Sequence, residues 1–365
     1  MQRNRNNNDS LSHFGISLLA TAFGAAATGL AVATIVRRRR QISFRGKVVL
    51  ITGGSRGLGL ALARRFVEEG AKVAICARGE AELRAAQDQL RELGAQQGGN
   101  VSTRLIALDA DVRDPAQCER LIDQVETTLG LVDVLVNNAG TIAVGPLENQ
   151  ALDDFRTAMD THFTGPLNLI WHVLPSMRRR RAGRIVNISS IGGKVATPHM
   201  IPYNASKFAL TGLSEGLRTE LSQHGIYVTT VCPGLMRTGS PRNAFFKGRA
   251  EEEYAWFTSS DVTPVLSINP DRIAGQILDA CRYGDAELIS PFTASIQAKL
   301  FGLLPGVSQE IAALFNRKLP GTGSDRRVRG AEVQGATPAA VLARQDAAAK
   351  QFNQFSTDHP TAGRR

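Results

Sequence analysis

The feature that most constrains this chain is an apolar run that ends abruptly on glycines. Lys47–Ile51 (KVVLI) leads into Thr52-Gly53-Gly54-Ser55-Arg56-Gly57-Leu58-Gly59, and a helical pattern follows from Leu58 to Glu69. An apolar run without polar alternation reads as a strand buried on both faces. Gly53 can take the tight turn after it, Gly57 lets backbone approach a pyrophosphate, and Gly59 lets the helix pack closely on the strand. The N-terminus of that helix offers free N–H groups and partial positive charge to phosphates. A plain glycine-rich loop would not need this order, so the segment predicts a phosphate-binding βα unit.

The rest of the body repeats the alternation. Gly70 ends the first helix, and Lys72–Ala77 (KVAICA) is the next strand. A helix from about Glu80 to Leu93, a strand at Arg104–Leu108 and a helix from Pro115 to Leu129 come next. Further strands are expected at Val132–Val136, Arg184–Ile188, Val228–Val231 and Glu287–Ser290, with a helix opening near Pro202. Strands alternating with helices of this length predict right-handed crossovers. The expected fold class is α/β, a doubly wound parallel sheet of the Rossmann type with helices on both faces. A single catalytic domain is placed at residues 41–300. Ligands of such sheets bind at the carboxyl ends of the strands, so the chemistry is sought in those turns.

Composition narrows the partners. Hydrophobic residues make up 43% and charged residues 21%, which excludes wholesale disorder. A net charge of +10 suggests nucleic acid until it is located. Residues 1–47 hold eight Lys and Arg against one Asp, residues 317–365 hold nine against four acids, and 26 basic and 28 acidic residues remain between them. The body is near neutral and carries no basic motif, so no nucleic-acid partner is expected. Cys76, Cys118, Cys232 and Cys281 form no CxxC pair, which argues against a disulfide framework or a metal site and fits a reducing compartment.

The second strand bears on the cofactor. An acidic residue at its end would bind the ribose 2′-hydroxyl of NAD, but the chain reads Cys76-Ala77-Arg78-Gly79. Arg78 and Arg56 can meet a 2′-phosphate instead, which favours NADP(H) over NAD(H). The alternative is that both arginines face solvent.

Tyr203 and Lys207 stand four apart in the helix opening at Pro202 and share one face. A phenol near pKa 10 is a poor proton donor at neutral pH, and a neighbouring ammonium lowers that value. Ser190 lies just beyond the strand ending at Ile188, where its hydroxyl can hold a carbonyl oxygen beside Tyr203. Taken together, residues 45–290 resemble the short-chain dehydrogenase/reductase family in its non-extended branch. The turn resembles the family's TGxxxGxG, and Asn137-Asn138-Ala139-Gly140 resembles its NNAG. Asp111-Val112 matches the acidic pair that meets the adenine, and Pro233-Gly234 with Thr238 resembles PGxxxT near the nicotinamide.

The resemblance implies an enzyme that moves a hydride reversibly between NADP(H) and a small-molecule carbonyl or alcohol, in dimers or tetramers. Ser190, Tyr203 and Lys207 fall on the catalytic positions. Gly53, Ser55, Arg56, Gly57, Leu58, Gly59, Arg78, Asp111, Val112, Asn138, Tyr203, Lys207, Pro233, Gly234 and Thr238 are expected to bind cofactor. One departure is His162, which takes the place of the family's frequent fourth catalytic residue, Asn. A cofactor-binding sensor on the same fold would be betrayed by loss of the tyrosine, lysine or serine, and all three are present. Residues 240–262 are expected to form a lid. Its Phe245, Phe246, Tyr254, Trp256 and Phe257 suit either a lipophilic substrate or core packing.

The ends carry the remaining expectations. Residues 16–36 run 21 positions without a charge and then meet Arg37–Arg40. About twenty apolar residues can cross a hydrocarbon core, so residues 1–40 read as a membrane anchor, with a cleaved signal peptide or a soluble helix as alternatives. Four arginines oppose translocation of the chain beyond them, which puts the catalytic domain in the cytoplasm. Residues 301–365 read as a helical extension, packed on the body or attached to a membrane surface, and then a disordered basic tail from Pro320.

Overall fold

A computed structural model of the chain describes residues 32, 34–96, 104–261 and 267–354. The amino half alternates β1 (Val48–Thr52), α1 (Gly57–Glu68), β2 (Lys72–Ala77), α2 (Glu80–Gln96), β3 (Leu105–Asp109), α3 (Pro115–Leu129) and β4 (Val134–Asn137). A short β5 (Ala143–Val144), α4 (Leu152–Met159), α5 (Gly165–Arg180), β6 (Gly183–Ile188), α6 (Ile201–Leu221) and β7 (Ile226–Pro233) come next. The carboxyl part holds β8 (Leu235–Met236), α7 (Ser240–Asn243), β9 (Phe245–Gly248), α8 (Ala250–Asp261), β10 (Ser267–Ile268), α9 (Pro270–Tyr283) and β11 (Glu287–Ser290). It continues through α10 (Phe292–Leu303), α11 (Pro305–Asn316), β12 (Ser324–Arg329) and α12 (Ala339–Gln351).

Seven strands form one sheet in the order β3-β2-β1-β4-β6-β7-β11, every pairing parallel. The expected Rossmann-type sheet is therefore the observed one. Successive strand residues face opposite sides, so each strand feeds two cores. Val49, Ile51, Val73 and Ile75 pack with Leu60 and Phe66 of α1 and Ile273 and Ile277 of α9. Leu50, Ala74 and Leu135 pack with Val125 of α3 and Leu169 and Val173 of α5. Full burial of each such side chain contributes about 1.5–3 kcal/mol, and this packing fixes the strand ends in space. The chain order reverses between β1 and β4, which sets the cleft at the carboxyl ends of those two strands. All four cysteines are free and buried, and burial pushes the Cys76 and Cys281 thiols up to about 12 and those of Cys118 and Cys232 up to about 11.

The carboxyl part departs from expectation in two places. The segment after Pro320, expected to be disordered, is ordered through Gln354. β12 pairs antiparallel with β9, and the guanidinium of Arg327 lies 3.7 Å over the Phe245 ring. α10 and α11, expected either to pack on the body or to meet a membrane surface, bury only Ala294 between them. Phe292, Leu303, Ile311 and Leu314 all stand exposed. Most of residues 16–36 lie outside the described residues, and among the described residues no helix is long and apolar enough to cross a membrane.

Candidate active site

The glycine turn is held from behind by β4. Thr52 Oγ1 accepts from the N–H groups of Asn138 (2.9 Å) and Ala139 (3.0 Å), and Asn138 Nδ2 donates back to the carbonyls of Thr52 (2.9 Å) and Gly53 (3.1 Å). A Cβ on Gly59 would stand 2.1 Å from the Gly53 carbonyl, so no other residue fits there. Gly57 sits at φ 58°, in the left-handed region that glycine alone enters freely. No side chain caps the α1 N-terminus. Ser55 and Leu58 are buried in the turn.

Three of the expected residues, Ser190, Tyr203 and Lys207, lie close beyond β6. Ser190 Oγ accepts the Gly192 N–H at 3.0 Å. A Cβ on Gly192 would stand 2.8 Å from Asn204 Oδ1, 3.1 Å from Tyr203 Cε1 and 3.5 Å from Ser190 Oγ, so the serine and the tyrosine both border this glycine. Lys207, one helical turn after Tyr203 on α6, is buried and donates to the Ile188 carbonyl at 2.7 Å. Burial pushes its ammonium down to about 7.

His162 completes the cluster. It sits in a π-helical turn, Asp160–Thr164, and is buried. Its Nε2 accepts the Thr141 N–H at 3.1 Å, which leaves the proton on Nδ1 to be donated to Ser206 Oγ at 2.7 Å. Ser206 in turn donates to the Tyr203 carbonyl at 2.8 Å. Burial, with the Lys207 charge second, holds this ring well below its ordinary range, so it is neutral. A lone histidine gives little sequence signal. Only its place in the Asn position marks it.

The remaining candidates divide. Arg78 is mostly exposed, 3.8 Å from Asp111. Arg56 is half-buried and already donates to Asn243 Oδ1 at 2.7 Å. Burial alone would raise the Asp111 carboxyl, but hydrogen bonds from Arg113, with Arg78 nearby, hold it below the usual range. Val112 is buried in the core against Gly165. Gly234, after Pro233, donates its N–H to the Ser290 carbonyl at 2.7 Å, and Thr238 is buried with its hydroxyl on Ser240 Oγ at 2.7 Å. Phe246, Tyr254 and Phe257 pack on one another as a satellite core, so the packing alternative holds for them.

Sequence reasoning missed the C-terminal segment at this site. The Phe352 carbonyl accepts the Gly57 N–H at 2.9 Å, and Gln354 Oε1 accepts the Gly239 N–H at 2.6 Å. A second feature is a cleft of about 650 Å³ beside α6, lined by Leu147, Pro198, Ile201, Phe208, Phe301 and Ala312 among others.

The chain is similar to known proteins. The short chain dehydrogenase family model matches residues 47–246. A Streptomyces coelicolor protein, provisionally assigned as a ketoacyl reductase, is 40% identical over 270 residues, 72% of this chain and 97% of its own. Dehydrogenase/reductase SDR family member 7B of Bos taurus is 33% identical over 283 residues, 77% of this chain and 84% of its own. The crystal structure of a tryptophan-substituted actinorhodin polyketide ketoreductase with NADPH matches with a TM-score of 0.58 and 32% identity, covering 67% of this chain and 95% of that one. The chain belongs to the short-chain dehydrogenase/reductase family, whose members are oxidoreductases acting on carbonyl and alcohol groups.

Proposed function

We propose that this oxidoreductase is an NADPH-dependent reductase of a lipophilic carbonyl compound, with Tyr203 as its general acid. The observation that carries the reading is that Ser190 and Tyr203 come together beside Gly192, with Lys207 buried one turn away. A nicotinamide dinucleotide fits the residues present. The helix after the glycine turn has no side-chain cap of its own, and Gly57 brings no Cβ to keep a phosphate from the backbone. Gly53, Ser55, Leu58 and Gly59 would shape that seat, Asp111, Val112 and Asn138 would flank the adenine, and Pro233, Gly234 and Thr238 the nicotinamide. Arg78, exposed beside the turn, supports a 2′-phosphate, as does the NADPH in the matching ketoreductase.

When bound, NADPH supplies the hydride. Ser190 holds the substrate's carbonyl oxygen, and Tyr203 gives that oxygen its proton as the carbon is reduced. Lys207 would hold the nicotinamide ribose and stabilise the phenolate left on Tyr203. The apolar cleft beside α6 supports a lipophilic substrate. The uncharged run at 16–36, the arginines after it and the exposed Val32 and Ile35 support a membrane tether with the body in the cytoplasm. Exposed Trp171 on α5 supports a face for a second copy of the chain.

NADPH oxidation measured across ketones, aldehydes and acyl thioesters of rising chain length tests the reading. Turnover rising with chain length is expected. No turnover with any carbonyl, or a preference for short polar ones, would refute it.

A further inference from the structure

The end of α12 reaches into the cleft that the cofactor reading assigns to a pyrophosphate. The helix stops on a Schellman turn, in which Gln354 N–H donates to the Ala349 carbonyl at 2.9 Å and Asn353 N–H to that of Lys350 at 3.5 Å. Asn353 takes the left-handed conformation, φ 54°, that the turn requires. This swings three residues across the site. Asn353 Nδ2 donates to the carbonyls of Ser55 (2.9 Å) and Glu82 (3.0 Å). The Phe352 carbonyl takes the Gly57 N–H, and Gln354 fills the open face of Gly57, its Nε2 3.2 Å from where a Cβ would stand. The same side chain takes the Gly239 N–H, and both Phe352 and Gln354 are buried.

A dinucleotide that lies on the glycine turn and reaches the 233–238 segment must pass between Gly57 and Gly239. That gap is bridged by one glutamine side chain. The acceptors on Gly57 and Gly239 occupy amide donors that a phosphate in this gap would need, and a donor cannot serve both fully. We propose that residues 352–354 are a shutter in cis, which competes with the cofactor and must swing out to admit it. The inference rests on the cofactor reading above. It predicts that the apparent affinity for NADPH is reduced by the fraction of chains in which the shutter is closed.

The test uses the full chain. Asn353→Gly keeps the left-handed turn but removes both side-chain bonds, and Gln354→Ala removes the bridge. NADPH titration followed by nicotinamide fluorescence should show each variant binding about fivefold tighter than wild type, the scale of one or two neutral hydrogen bonds. Hydrogen exchange of residues 339–354 in the wild-type chain should speed up when NADPH is added. Weaker binding by the variants, or added protection of 339–354 with NADPH, would overturn the shutter and make the segment a wall that holds cofactor. Equal binding with unchanged exchange would also overturn it and leave the cofactor reading intact. No NADPH binding by wild type or either variant would overturn both.

Discussion

The Lys207 ammonium nitrogen lies 5.7 Å from the centroid of the Tyr203 ring and is tied to the Ile188 carbonyl at the end of β6. A backbone carbonyl of the sheet thus holds the ammonium one helical turn from the tyrosine. Both residues ride on α6, and the bond to Ile188 ties that turn of the helix to the end of β6.

Replacing Tyr203 by Phe keeps the ring and its edge-on contact with His162 but removes the hydroxyl. Carbonyl reduction should fall by about 10²–10⁴-fold, the usual worth of a general acid. NADPH binding should stay near the wild-type value, measured by direct titration. Turnover within twofold of wild type would mean that another group delivers the proton.

The pH dependence is set by Lys207. Its pKa falls from 10.5 to about 7 on burial, so the charge that steadies a phenolate is lost as pH rises through about 7. Reduction rates should decline through that point. The stability sign is opposite. Between about 7 and 10.5 the unfolded chain binds the proton that the folded chain has released, so this group makes folding more favourable as pH rises. Lys207→Met should remove that rise in urea melts taken at pH 7 and pH 9. A slope identical to wild type would contradict the assignment.

Arg78 sets the expected choice of nicotinamide. Arg78→Asp should repel a 2′-phosphate and offer an acceptor to a 2′-hydroxyl. The ratio of NADPH to NADH affinity should fall by about one to two decades. If selectivity does not change, Arg56 becomes the residue to test, since its guanidinium would have to leave Asn243 to reach the phosphate.

A tether through residues 16–36 is checked by fractionation. Full-length protein should stay in the pellet through carbonate and high-salt washes, because salt weakens only an electrostatic attachment. A chain starting at Gln41 should be soluble and retain activity, since β1 begins only at Val48. Full-length protein found in the supernatant before any wash would rule the tether out.

Much of this architecture was legible because its signals are local. Val48–Thr52 and Lys72–Ala77 are uninterrupted apolar runs, and such runs become central parallel strands whatever surrounds them. Tyr203, Lys207 and Ser190 were legible because a helical spacing and a strand end place them. Ser324–Arg329 (SDRRVR) was not, because it reads as solvated charge. Only the Phe245 ring under Arg327, and the open edge of β9, make it a strand. Asn353 and Gln354 gave no signal for the same reason: their partners are backbone groups of Ser55, Glu82 and Gly239, far away in sequence. The apolar spacing of α10 and α11 shows that a face exists, but spacing is silent on what that face meets.

The four buried thiols make the protein a convenient carrier for a reporter. With thiols held at about 11 to 12, almost none is thiolate near neutrality, and maleimides or disulfide reagents attack the thiolate. The folded chain should therefore tolerate oxidising buffers without cysteine replacement. One cysteine placed at the exposed Ala347 would be the single fast-reacting group, and a dye attached there would show whether α12 moves when NADPH is added.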